Sequence, residues 1–266
     1  MPIVTIDGTP VTVPQEATIL DAARAAGVWI PTLCHNPAVS SLAACRLCMV
    51  ELDRGDWKQM VTACNYPVRR DITVSVAGER AVRTRRGVME LLLARSPESA
   101  ELKDLARRMG VEGTPYPTVT ESRRSCILCG LCSRVCEELI TAAGIGFTGR
   151  GGTRMMAPPF NLAPEVCTGC GACAAVCPVG TIRVRVHGDA GEVEISPFKA
   201  RVKLRVCPEC GSPIVSEPVA AAVLARIKAD PAAYAERLRL CPACRRKAAA
   251  AALGRGTPSR GRGGSH

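Results

Sequence analysis

Cys126-Ile127-Leu128-Cys129-Gly130-Leu131-Cys132-Ser133-Arg134-Val135-Cys136 and Cys167-Thr168-Gly169-Cys170-Gly171-Ala172-Cys173-Ala174-Ala175-Val176-Cys177-Pro178 stand about thirty residues apart and share one spacing, C-x2-C-x2-C-x3-C. Three thiolates on one tight loop with a fourth set apart suit a [4Fe–4S] cube, which takes three ligands from a loop and one from elsewhere. A disulfide framework or a pair of zinc sites is the alternative. Zinc is held by paired C-x2-C knuckles rather than by four-tooth combs, and the iron–sulfur reading is preferred.

The same spacing occurs in bacterial two-cluster ferredoxins, where the fourth cysteine of each comb ligates the other cluster. Cys126, Cys129, Cys132 and Cys177 are therefore assigned to one cube. Cys167, Cys170, Cys173 and Cys136 are assigned to the other.

Composition bounds the rest. The 266 residues include sixteen cysteines but only 3% aromatics, so metal centres are expected to do much of the stabilising. The opening Met1-Pro2-Ile3-Val4-Thr5-Ile6-Asp7-Gly8 has no basic start or long apolar run, and no secretory signal is expected. No stretch approaches the ~20 apolar residues of a membrane span. Many cysteines without such a signal point to metal ligation in a reducing cytoplasm. The formal net charge of +11 suggests nucleic acid. Ligating cysteines are thiolates, however, and three iron–sulfur centres and one four-thiolate zinc site at about −2 each leave roughly +3, so no nucleic-acid partner is expected.

Outward from the combs, the N-terminal 78 residues carry a third cysteine set. Ile3 to Ile6 and Val11 to Val13 flank an Asp7-Gly8 turn, and Thr18 opens a helix that runs to Gly27. Cys34, Cys45, Cys48 and Cys64 follow with the spacing C-x10-C-x2-C-x15-C, a looser relative of the plant-type [2Fe–2S] pattern. A hairpin, one helix and spaced ligand segments predict a β-grasp ferredoxin domain. His35, beside a ligand, is taken as structural or solvated.

Pro31-Thr32-Leu33-Cys34, Cys45-Arg46-Leu47-Cys48-Met49-Val50-Glu51 and Ala63-Cys64-Asn65-Tyr66-Pro67-Val68 resemble the N-terminal domain of the complex I large iron–sulfur subunit. They are also similar to the small diaphorase subunit of NAD-linked hydrogenases, to NAD-linked formate dehydrogenases and to iron-only hydrogenases. The first comb and Ile145-Gly146-Phe147-Thr148-Gly149-Arg150-Gly151 extend the resemblance to about residue 190. In that family a histidine and three cysteines precede the stretch matched by Glu101-Leu102-Lys103-Asp104-Leu105-Ala106. Here Ala94-Arg95-Ser96-Pro97-Glu98-Ser99-Ala100 stands there, so that extra cube has no ligands. The resemblance places it between the [2Fe–2S] centre and the dicluster domain. With it missing, the connector is expected to keep those centres apart and the [2Fe–2S] centre to serve a partner's cofactor.

Residues 79–120 read as a helical connector. One helix runs from Arg80 to Arg95 with an apolar stripe of Val82, Val88, Leu91 and Leu92, widened by Met89 and Leu93. A second runs from Ser99 to Met109 and stops at Gly110. Arg83-Thr84-Arg85-Arg86 is expected to be a solvated helix face. Gly144-x-Gly146-x-x-Gly149 fits a dinucleotide fingerprint as a string, but it follows a comb and leads into glycines and prolines, and no NAD site is expected there.

Beyond the dicluster region, residues 121–200, residues 201–250 carry two knuckles, Cys207-Pro208-Glu209-Cys210 and Cys241-Pro242-Ala243-Cys244. These are read as one zinc-ribbon-like module of four cysteines holding a structural zinc, with mononuclear iron next. Its loss is expected to leave the iron–sulfur centres in place. Residues 251–266 read as a flexible basic tail. The fold class is thus α+β in five parts: 1–78, 79–120, 121–200, 201–250 and 251–266.

The cofactors are one [2Fe–2S], two [4Fe–4S] and one Zn. What the resemblance implies is an electron-transfer subunit of a multisubunit NAD(P)-linked oxidoreductase. Its partners would be a flavin/NAD(P)H-oxidising subunit and a catalytic redox subunit such as hydrogenase or formate dehydrogenase, and the chain is not expected to be catalytic alone. The competing class is an adaptor, binding nucleic acid or protein, whose metal sites are mainly structural.

Overall fold

The computed structural model describes residues 1–119, 125–227 and 230–254. The basic tail expected at 251–266 lies outside them from residue 255 onward. The chain divides into two compact units: Met1–Val166 with Gly171–Arg183, and Cys167–Cys170 with the chain from Val184.

The first unit opens on a hairpin, β1 (Ile3–Ile6) and β2 (Thr9–Thr12). Asp7 at φ 45° and Gly8 at φ 89° form the turn, which needs two left-handed residues. Val4 and Ile6 point inward and are fully buried. β3 (Met49–Asp53), β4 (Lys58–Thr62) and β5 (Ile72–Ser75) complete a mixed sheet of order β2-β1-β5-β3-β4, in which β1 and β5 are parallel. Helix α1 (Ile19–Ala25) starts from a capping box, Thr18 to the Asp21 amide and Asp21 back to the Thr18 amide. It buries Ile19, Leu20, Ala22 and Ala23 against the sheet.

Helix α2 (Glu79–Arg95) presents Ala81, Arg85, Met89 and Leu93, spaced four apart, to the interior. Of the expected stripe, Met89 and Leu93 are buried and Val88 and Leu92 pack against the same core, while Val82 and Leu91 are exposed. The expected solvated arginine run is corrected with it: Arg85 is buried and donates to the Met49 carbonyl at 2.9 Å and the Val76 carbonyl at 2.7 Å. Its stem packs as an apolar residue would, while its head satisfies two carbonyls at the sheet's edge. Helix α3 (Ala100–Arg108) starts at Ser99, whose Oγ accepts from the Leu102 amide, and ends before Gly110 at φ +70°.

The first comb leads into a short helix, α4 (Leu131–Arg134), and a π-helical turn, Val135–Leu139. A two-stranded ribbon follows, β6 (Gly146–Thr148) with β7 (Met155–Ala157). Gly144-x-Gly146-x-x-Gly149 thus lies in a strand and its turn and opens no α-helix. Helix α5 (Ala172–Ala175) ends this unit's helices.

The second unit holds a four-stranded sheet of order β11-β10-β9-β8: β8 (Arg183–His187), β9 (Glu192–Ser196), β10 (Ala200–Val206) and β11 (Pro213–Ser216). Helices α6 (Glu217–Arg226), α7 (Pro231–Arg237) and α8 (Pro242–Gly254) follow.

Candidate iron–sulfur and metal centres

Cys34, Cys45, Cys48 and Cys64 are all buried. Their thiols lie within electrostatic reach of one another. Ala43 and Arg46 take left-handed φ of 51° and 58°, which folds the loop over its own sulfurs. The Cys45 amide donates to Cys34 Sγ at 3.4 Å, and Ser41 Oγ lies 3.5 Å from Cys64 Sγ. Cys48 and Cys64 belong to the sheet's hydrophobic core, Cys34 and Cys45 to a second core that includes Cys129. Both ring nitrogens of His35 are buried without a hydrogen-bond partner among the described residues.

Cys126, Cys129, Cys132 and Cys177 lie within electrostatic reach of one another. Leu128 and Gly130, on either side of Cys129, have φ of 55° and 72°. Gly169 and Gly171 flank Cys170 in the same way, at 69° and 73°, so the two combs share a backbone as well as a spacing. Such left-handed steps turn amides toward the sulfurs, and the Leu128 amide donates to Cys126 Sγ at 3.4 Å. Burial pushes the Cys129 thiol up to about 12. A thiol in that setting is neutral unless a cation compensates it, a charge that a bound metal cluster would supply. Of the cysteines assigned to the other cube, Cys136 and Cys173 lie in the first unit and Cys167 and Cys170 in the second. The Gly144 amide donates to Cys136 Sγ at 3.4 Å.

One side chain ties the first comb to the N-terminal cysteine loop. Arg134, 8% exposed, donates through Nη2 to the Cys34 carbonyl at 2.9 Å and the Cys129 carbonyl at 3.2 Å. Its Nη1 donates to the Ser40 carbonyl and its Nε to the Gly130 carbonyl, 3.3 Å away. One turn on, Glu138 accepts from the Ser40 amide at 2.7 Å, and the Ser40 bonds hold its carboxyl below the usual range. The two ligand loops are therefore direct neighbours, contrary to the expected separation by the connector. An arginine inside an otherwise apolar comb was the available signal.

Cys207, Cys210, Cys241 and Cys244 present four sulfurs within 4.8 Å of one another. Cys210 Sγ and Cys241 Sγ are 3.6 Å apart, close to the ~3.8 Å edge of a tetrahedron with ~2.3 Å metal–sulfur bonds. The Cys244 amide donates to Cys241 Sγ at 3.4 Å. Hydrogen bonding with Ser212 holds the Cys210 thiol down at about 6. The first knuckle sits between β10 and β11, whereas the second opens helix α8 rather than a further hairpin.

Residues 3–78 match a family model described as a 2Fe-2S iron-sulfur cluster binding domain. Residues 125–181 and 160–214 match two models described as 4Fe-4S dicluster domains. An NADP-reducing hydrogenase subunit of Solidesulfovibrio fructosivorans is 35% identical over 208 residues, 67% of this chain and 35% of the relative. An NADH-quinone oxidoreductase G subunit of Rhizobium meliloti is 27% identical over 233 residues, 79% of this chain and 26% of the relative. The chain thus spans about a third or less of these curated relatives. A crystal structure of an NAD+-reducing [NiFe]-hydrogenase superposes with a TM-score of 0.58 at 25% identity, covering 67% of this chain and 85% of the other. With a 2Fe-2S domain at residues 3–78 and 4Fe-4S dicluster sequence from residue 125, the chain resembles the iron–sulfur subunits of NAD(P)-linked hydrogenases and NADH-quinone oxidoreductases.

Proposed function

We propose that the chain is an electron-transfer subunit of a multisubunit NAD(P)-linked oxidoreductase. It connects a flavin subunit that oxidises NAD(P)H to a catalytic partner such as hydrogenase, formate dehydrogenase or another reductase. The observation that carries this reading is the Arg134 bridge, which packs the N-terminal cysteine loop against the first comb. A merely structural pair of metal sites needs no such adjacency. The sheet order and the position of α1 support a β-grasp domain around Cys34, Cys45, Cys48 and Cys64 as [2Fe–2S] ligands. Sulfur proximity supports Cys126, Cys129, Cys132 and Cys177 as one cube's ligands. The shared comb backbone supports Cys136, Cys167, Cys170 and Cys173 as the other's.

When bound, these groups take up and release single electrons. The chain's own residues fix the ligand loops, point amides at the sulfurs and exclude water. No helix among the described residues is long and apolar enough to cross a membrane. Many cysteines fit a reducing cytoplasm. The Cys207, Cys210, Cys241 and Cys244 set is read as a zinc site, because its compact four-thiolate geometry closes the metal off from substrate.

Elemental analysis and spectroscopy of the full chain test this reading. About ten irons and ten labile sulfides per chain are expected, with visible absorbance that dithionite bleaches. Co-purification with a flavin subunit, and NADH-dependent bleaching only in its presence, would complete the case. A colourless, iron-free chain that binds duplex DNA in a salt-sensitive manner would sink it.

A further inference from the structure

The first C-terminal knuckle and the Cys167–Cys170 turn meet on one sheet. β10 runs directly into Cys207, the knuckle turns, and the chain returns as β11. Inside the turn the Gly211 amide donates to the Cys207 carbonyl at 2.8 Å, and the Cys207 amide donates to the Ser212 carbonyl at 2.9 Å. The strands then pair antiparallel, Leu204 opposite Ser216. Ser216, 4% exposed, donates its hydroxyl to the Thr168 carbonyl at 2.5 Å.

Thr168 and Gly169 are the two residues between Cys167 and Cys170. Gly169 lies at φ +69°, and a Cβ there would stand 2.9 Å from Val193 Cγ1 and 3.0 Å from Val202 Cβ. The first half of the second comb is therefore seated on β9 and β10 and bonded to the end of β11. The knuckle joins β10 to β11, and helix α6 packs against both strands. A metal bound by folded thiolates contributes its binding energy to folding, and here that energy acts at the turn between β10 and β11.

We propose that metal binding at Cys207, Cys210, Cys241 and Cys244 buttresses the Cys167–Cys170 ligand turn, with Ser216 as the positioning residue that transmits the constraint. This rests on the reading of the four cysteines as a metal site. It replaces the expectation that losing that site leaves the iron–sulfur centres in place. A staple for the C-terminal helices alone would not need Ser216 bonded to a comb residue.

The test uses the full chain as isolated, with metals counted by mass spectrometry and iron release to a chelator followed over time. In Cys207→Ser/Cys241→Ser, zinc should fall from about one per chain to none. About four of the ten irons should then be released several-fold faster than in the parent, the other six keeping their rate. Ser216→Ala keeps all four knuckle cysteines. It should retain zinc yet still accelerate release of those four irons, so the proposal stays testable if the double variant fails to fold. Zinc present in the parent, with unchanged iron release in Ser216→Ala, overturns the buttress. A parent chain holding ten irons but no metal at the four knuckle cysteines overturns the metal reading instead.

Discussion

Replacing Arg134 with methionine keeps an unbranched stem in the same space and removes every donor. The Gly130 carbonyl keeps a partner, because the Arg134 backbone amide also donates to it at 3.1 Å. The carbonyls of Cys34, Ser40 and Cys129 lose the guanidinium. Each hydrogen bond from a charged donor contributes about 1.5–3 kcal/mol net, and buried acceptors left unpaired are costly. Some relaxation and water entry offset this, and the expected loss is about 4 kcal/mol, a large share of a domain's usual 5–15 kcal/mol. Arg134→Lys should recover only part of it, since one ammonium cannot span three carbonyls. Denaturant titration of the cluster-loaded chain, followed by visible absorbance, measures the loss. Hydrogen exchange at residues 34–42 and 126–138 localises it. A stability within about 1 kcal/mol of the parent, with unchanged exchange in both loops, would refute the bridge.

Arg85→Met should cost about 2 kcal/mol, because the Met49 and Val76 carbonyls lose a charged donor; a denaturant midpoint equal to the parent's would contradict this. Gly130→Ala should cost about 1–2 kcal/mol and lower the thermal midpoint. Gly130 sits at φ +72°, with Leu42 Cδ2 and Phe147 Cζ at 3.0 and 3.1 Å from the added Cβ. The purified chain alone should show no NADH oxidation with artificial acceptors, and measurable diaphorase turnover would require a nicotinamide site in it.

Local chemistry made much of the fold legible in the sequence. The Asp7-Gly8 turn, the Thr18 start of α1, and the Ser99 and Gly110 limits of α3 are set by residues within a few positions, so their signals are short-range. The cysteine sets are equally local within each comb. What stayed hidden depends on contacts between distant segments. Arg85 counts as polar in any periodicity, yet its position is fixed by carbonyls 36 and 9 residues away. Arg134 reaches the Cys34 and Ser40 carbonyls, 100 and 94 residues earlier. Ser216 reaches Thr168 across 48. In all three a long or hydroxyl side chain satisfies a backbone carbonyl, a pairing that leaves no pattern in the sequence.

The stretch that lacks the family's histidine and cysteines is closed by ordinary helix chemistry. Ser96 and Ser99 are 1% and 5% exposed, and Ser99 caps α3 while also donating to Glu101. Around them Leu33, Leu47, Met89, Leu93, Leu102 and Ile127 form one hydrophobic core with Cys34, Cys45 and Cys129. Helices α2 and α3 therefore pack apolar side chains against both ligand loops. At ~25 cal/mol per Å2 such packing holds two loops together far better than a tethered linker would. The connector therefore does not hold the Cys34 and Cys129 loops apart: it packs against both, and the Arg134 guanidinium bonds to a carbonyl of each.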